Sequence, residues 1–171
     1  MATNLQLSTF QIENPNELNF VLGHAHFTQT VDDIAEICAR HAIPKFGAAF
    51  CEASEGHDAE VPGRRVRTEG NDDSLINLAA KNALSIGAGH TFLLFMDGGF
   101  PISVLNAIKA SPTVCRVYCA TSNPTTVVIA SLEEHKKGIA GVIDGMTSVA
   151  IEDEKDKKAR KEFLKMIGYK R

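Results

Sequence analysis

The chain has 171 residues, 44% hydrophobic and 23% charged, the size and balance of one domain with a sizeable core. Its net charge is −3, with 18 basic against 21 acidic residues and no tryptophan, so it lacks both the basic footprint and the stacking platform of a nucleic-acid binder. No apolar run approaches the ~20 residues of a membrane span, and residues 1–10 lack the basic and apolar regions of a signal peptide; the expectation is a cytoplasmic protein with no membrane partner.

Residues 19–27 are rich in β-formers and read as a strand. Thr30 is expected to cap a helix, with Asp33 in the capping-box position and Val31, Ile34, Ile37 and Cys38 as its buried stripe. Residues 45–52 read as a strand carrying Phe46, Ala48 and Phe50 on one face. Residues 53–63 form a loose loop, 64–68 a short basic strand, and Gly70-Asn71-Asp72 a turn and helix cap. The spacing of Leu75, Ile76, Ala79, Ala83 and Ile86 predicts a helix over 72–86. Residues 91–96 are apolar on both faces, which suits a central strand. Asp97-Gly98-Gly99-Phe100 then leads into a helix with Pro101 at its first position and Ile102, Leu105 and Ile108 buried. Strands follow at 114–120 and 126–132, separated by Ser122-Asn123-Pro124, and at 138–143, which ends in the Asp144-Gly145 turn. A charged helix over 152–167, acids leading and bases following, closes the chain. Helices recurring between strands predict an α/β class: a compact three-layer sandwich with a mixed sheet, one domain over residues 1–171.

The four cysteines, Cys38, Cys51, Cys115 and Cys119, form no Cys-x-x-Cys pair. Cys115 and Cys119 lie too far apart along one strand to bridge. All four read as reduced, mostly buried thiols.

The run Gly87-Ala88-Gly89-His90 joins the 72–86 helix to the central strand. On spacing alone it is a glycine C-cap followed by a packed histidine. It also places an imidazole, which titrates and accepts phosphoryl groups near neutral pH, where side chains are cleared around it. His24 and His26 share a strand face; His24 reads as a sheet histidine satisfied by its neighbours, and His26 stands at the strand's C-terminal end, where α/β sheets bind ligands. No third ligand supports a metal at this His-x-His pair, so no metal is expected. His41, His57 and His135 read as surface or loop residues. Glu52 ends the second strand beside Ser54, and Asp72 and Asp73 read as helix-capping acids. Of Arg64, Arg65 and Arg67, one is placed to clamp a phosphate, or all three guard an edge strand. Asp97-Gly98-Gly99 is a candidate anion nest. No P-loop and no Gly-x-Gly-x-x-Gly is present, which excludes a standard NTPase or dinucleotide binder.

Several blocks together resemble the adenosine-specific kinase family of archaea and bacteria. They are Gly23-His24-Ala25-His26-Phe27, residues 45–54 (KFGAAFCEAS), Glu69-Gly70-Asn71-Asp72, residues 82–90 (NALSIGAGH), residues 100–109 (FPISVLNAIK), residues 119–124 (CATSNP), Gly141-Val142-Ile143-Asp144-Gly145, and the tail over 160–169. The resemblance covers almost the whole chain in order. It implies a compact α/β sandwich, adenosine or AMP as ligand in preference to ADP or ATP, and a histidine carrying a stable phosphoryl group. It allows both His26 and His90 as that histidine; His90 is the better candidate. On this footing the catalytic candidates are His90, His26, Glu52 and Asp144. The ligand-binding candidates are Lys45, Arg67, Asn71, Gly89, Gly98, Gly99, Asn106 and Asn123. The expected partners are a small nucleoside or nucleotide and further copies of the chain, with no certain cofactor. The alternative is a non-catalytic adenosine or AMP sensor. This chain departs from the family pattern in a longer 56–64 loop, Ser103 for asparagine, Ser122 for alanine and His24 for glutamine.

Overall fold

The computed structural model describes residues 4–55, 63–133 and 135–169; His57 and the middle of the expected 53–63 loop lie outside them. In chain order the elements are β1 (Gln6–Gln11), β2 (Asn19–Ala25), α1 (Thr30–Arg40), β3 (Lys45–Cys51), β4 (Val66–Gly70), α2 (Asp73–Ile86), β5 (Thr91–Asp97), α3 (Pro101–Ala110), β6 (Val114–Thr121), β7 (Thr125–Glu133), β8 (Lys136–Asp144) and α4 (Glu154–Met166). The larger sheet has strand order β4-β3-β5-β2-β6 and the smaller β1-β7-β8.

The α/β class holds, but among the described residues every strand pairing is antiparallel, which corrects the expected mixed sheet. A helix between two strands makes them parallel neighbours only when they sit side by side in the sheet. The helices do return the chain in the same direction, from β2 to β3 through α1, β4 to β5 through α2, and β5 to β6 through α3. Each return lands two places away, and the skipped place is filled by a strand running the other way.

The period-2 alternation of β5 builds the layers. Phe92, Leu94 and Met96 point into a core shared with Val31, Ile34 and Cys38 of α1 and Val104 and Ile108 of α3. Leu93 and Phe95 point the other way, against Leu75, Ala79 and Ala83 of α2 and Val127 and Ile129 of β7. The three layers are therefore α1 with α3, the five-stranded sheet, and α2 with the smaller sheet. Gly47 sets how closely α2 sits: a Cβ there would lie 2.2 Å from the backbone of Leu75 and Ile76. Asn82, fully buried on α2, ties that layer to the chain after β1. Its side-chain oxygen accepts the Glu13 N–H (2.8 Å), and its amide donates to the carbonyls of Glu13 (2.9 Å) and Leu78 (3.0 Å).

Two local expectations change. α1 begins one residue earlier than the expected cap, with Gln29 as N-cap and no side-chain cap bond. Thr30 is already helical and buried, and its hydroxyl donates to the Phe27 carbonyl (2.5 Å). Asp33 serves tertiary structure, accepting the hydroxyls of Ser111 (3.2 Å) and Thr113 (3.0 Å) in the α3–β6 turn. β1 is an edge strand of polar, mostly exposed residues that carry no hydrophobic period. The cysteines are free; Cys38, Cys51 and Cys119 are buried and Cys115 is exposed.

Candidate functional site

α2 ends as its sequence indicates. Gly87 is left-handed (φ 62°) and donates its N–H to the Ala83 carbonyl (3.0 Å), the glycine C-cap. His90, three residues on, is also left-handed, with φ 63°. That region is uncommon for a residue with a side chain, costs on the order of 1–3 kcal/mol and persists only where the surroundings enforce it. Here both neighbouring strands do so. The His90 N–H donates to the Cys51 carbonyl at the end of β3 (2.8 Å), and the His90 carbonyl accepts the Ala25 N–H at the end of β2 (2.9 Å). The half-buried imidazole lies edge-on to the ring of His24 (centroids 5.8 Å apart) and beside Phe50 (6.0 Å).

Two cavities meet at this imidazole. One, of about 590 Å³, is lined by His26, Phe27, Asp32, Ser54, Arg67 and Thr68 among others. The second, of about 670 Å³, is lined by Glu55, Arg64, Arg65, Gly89, Lys136 and Lys137 among others. Among the described residues, only Glu52 and His90 line both. Gly89 lines the second cavity and lets Ala53 pack against the backbone beside the imidazole; a Cβ there would lie 2.8 Å from the Ala53 Cβ.

Partial burial pushes the Glu52 carboxyl up. The Ser54 hydroxyl (2.9 Å) and amide (3.4 Å), a Thr28 hydrogen bond and the nearby Arg67 charge outweigh that and hold it below the usual carboxylate range. Burial lowers the His24 imidazole, and the neighbouring His90 and Arg116 lower it further, so it favours the neutral form. His26 is exposed at the edge of the first cavity, stacked on Phe27 (6.2 Å, 29°). Its Nε2–H donates to the Pro112 carbonyl (3.2 Å), which leaves Nδ1 as the ring acceptor.

His90, His26, Glu52, Arg67 and Gly89 therefore gather at one end of the larger sheet. Most of the remaining candidates lie at its other end, across the length of β3, seven residues or roughly 20 Å. There Lys45 pairs with Asp72 (3.6 Å). Asn71 accepts the Phe46 N–H (2.8 Å) and donates to the Pro44 carbonyl (3.0 Å), so both ends of its amide hold a turn. Gly98 and Gly99 pack on Pro44 and Ile43, and the Gly99 carbonyl accepts the Asn19 amide (3.1 Å). The Asn123 amide donates to Asp144 (3.1 Å), closing the turn between β6 and β7 onto the end of β8. Asn106 is exposed on α3. None of these lines either cavity at His90.

Asp32, Thr68, Lys136 and Lys137 also line the cavities, and no local motif or spacing marks them. His24 was visible in the His-x-His pair, but its contact with His90 depends on pairing β2 with β5, which registers His24 against Thr91. Among the described residues, no group of three or more His, Cys, Asp or Glu side chains is placed to hold a metal ion. No helix among them is long and apolar enough to cross a membrane.

These features define the class: a three-layer α/β domain whose larger sheet ends in two cavities joined by one imidazole. The chain belongs to the adenosine specific kinase family, whose model matches residues 10–170. It is also similar to the crystal structure of the PH1918 protein from Pyrococcus horikoshii OT3. The two share 38% identity over 98% of this chain and 99% of that one, with a TM-score of 0.87. No match was found among the curated proteins.

Proposed function

We propose that the protein is a phosphotransferase that binds adenosine and AMP and passes a phosphoryl group through a phosphohistidine on His90. The observation that carries this is the place of His90: its backbone is fixed between two strands, and its ring faces two cavities at once. The family's name supports adenosine as the nucleoside. The first cavity suits it, with Phe27 as an apolar face for the base and Arg67 as a charge for the phosphoryl oxygens. In the transfer, a ribose hydroxyl attacks the phosphorus and the N–P bond breaks, returning its electron pair to the imidazole. The ionised Glu52 takes the hydroxyl proton. Catalysis of this kind is mainly positioning and charge stabilisation. His26, exposed and committed through Nε2 to Pro112, serves the edge of the cavity.

A second reading, adenosine or AMP sensing without turnover, is favoured by the absence of any triphosphate-binding motif. Product analysis after incubation with adenosine and a phosphoryl donor separates the two. Formation of AMP that is lost in His90→Asn supports transfer; tight adenosine binding with no AMP supports sensing. Asparagine is chosen because it tolerates the left-handed backbone of position 90.

We propose further that the working unit is a homo-oligomer, in the cytoplasm. After β8 the chain exposes Met146 (98%), Val149 (98%) and Ile151 (96%), and α4 buries none of its residues. An apolar segment left this bare gains about 1.5–3 kcal/mol per large side chain when covered. A second copy of the chain supplies that cover in this proposal. The free, mostly buried thiols suit a reducing compartment.

A further inference from the structure

The two cavities at His90 differ in chemistry. The nucleoside cavity carries Phe27, and its charges, Asp32 and Glu52 against Arg67, give no excess of cations. Among the described residues of the second cavity, Arg64, Arg65, Lys136 and Lys137 face two carboxylates, Glu52 and Glu55. Arg64 lies 3.6 Å from Glu55. Among the described residues, the only aromatic side chains lining the second cavity are His90 and His135. The side chain of Lys137 crosses the C-terminal end of α2: a Cβ on Gly87 would lie 3.9 Å from its Nζ. There the ammonium offsets the negative end of the helix, which otherwise repels an anion.

We infer that this second cavity seats the phosphoryl donor, and that the donor is a phosphoanhydride chain held by its charge rather than by a base. The inference rests on the phosphohistidine reading of His90 and supplies its missing half. Cationic forks and ammonium groups recognise phosphate oxygens without regard to what the phosphate is attached to. In the loading step an imidazole nitrogen of His90 attacks the terminal phosphorus. The N–P bond forms and the P–O anhydride bond breaks. The electron pair leaves on the oxygen of the shortened chain, whose charge Arg65 and Lys137 hold. The phosphoryl group then stands between the cavities, and the nucleoside takes it from the other side. Two chambers sharing one imidazole thus keep donor and acceptor apart and let them bind together.

The test is calorimetry on the full chain with tripolyphosphate as the probe, with and without saturating adenosine. Tripolyphosphate is expected to bind both forms and to weaken as salt is raised. Arg65→Glu and Lys137→Glu are each expected to weaken it by about tenfold or more, the worth of one charge-assisted hydrogen bond. Lys158→Glu makes the same charge change on the exposed face of α4, outside both cavities, and is expected to leave tripolyphosphate binding within about twofold of wild type, as screening requires. Absence of tripolyphosphate binding, displacement by adenosine, or equal loss in Lys158→Glu overturns the inference. So does ATP binding at least about a hundredfold tighter than tripolyphosphate, since a contribution of about 2.7 kcal/mol means that a base is read. If adenosine fails to bind while the tripolyphosphate results hold, the nucleoside reading falls and the polyanion site stands.

Discussion

The imidazole of His90 is held by its own backbone. Its N–H and carbonyl are claimed by β3 and β2, so the left-handed conformation is imposed from both sides. Replacing it with asparagine keeps that conformation accessible and removes the nucleophile. His90→Asn is therefore expected to unfold within about 1 kcal/mol of wild type in urea, while losing all phosphoryl labelling. His24, beside it, has its proton affinity lowered by burial first, then by His90 and Arg116. The unfolded chain binds that proton more readily than the folded one, so His24 costs stability as pH falls below the unfolded histidine value of about 6.5. The urea midpoint should drop more between pH 7.5 and 5.5 in wild type than in His24→Gln. An equal drop contradicts this placement.

At the scale of elements, local chemistry was legible and pairing was not. The Asp72 cap, with side-chain bonds to the amides of Ser74 and Leu75, the Gly87 C-cap and Pro101 at the first turn of α3 all rest on contacts within a few residues. Antiparallel order depends on which strand fills each skipped place, and no local pattern carries that. β1 is not legible as a strand because Gln6–Gln11 is mostly exposed and its apolar residues, Leu7 and Phe10, do not alternate. Asp33 read as a capping acid because its partners, Ser111 and Thr113, stand 78 and 80 residues away in sequence. The layer contacts yield two predictions. Asn82→Ala strips both Glu13 backbone groups of their buried partner and should cost about 2–3 kcal/mol in denaturant unfolding. Gly47→Ala drives a methyl into the α2 backbone and should cost about 3 kcal/mol or displace the helix, read as lower stability with weakened Asn71 turn contacts by NMR.

At the scale of the molecule, the candidate site divides between two ends of one sheet. His90, His26, Glu52, Arg67 and Gly89 were legible as chemistry-bearing types in ligand-prone turns, and the antiparallel register gathers them. Lys45, Asn71, Gly98, Gly99, Asn123 and Asp144 were equally suitable by type, but strand direction carries them to the far end, where their polar groups close turns. The exposed tail from Met146 onward belongs to the same scale. Light scattering should give a mass above one chain for the intact protein and a single-chain mass for a form ending at Gly145. A monomeric full-length protein contradicts the oligomer. The central claim, that His90 carries the phosphoryl group, is tested most directly by intact-mass measurement at alkaline pH after incubation with tripolyphosphate or ATP. One added phosphoryl group in wild type and none in His90→Asn is the expected result. The same addition in His90→Asn, or its loss only in His26→Asn, contradicts the account.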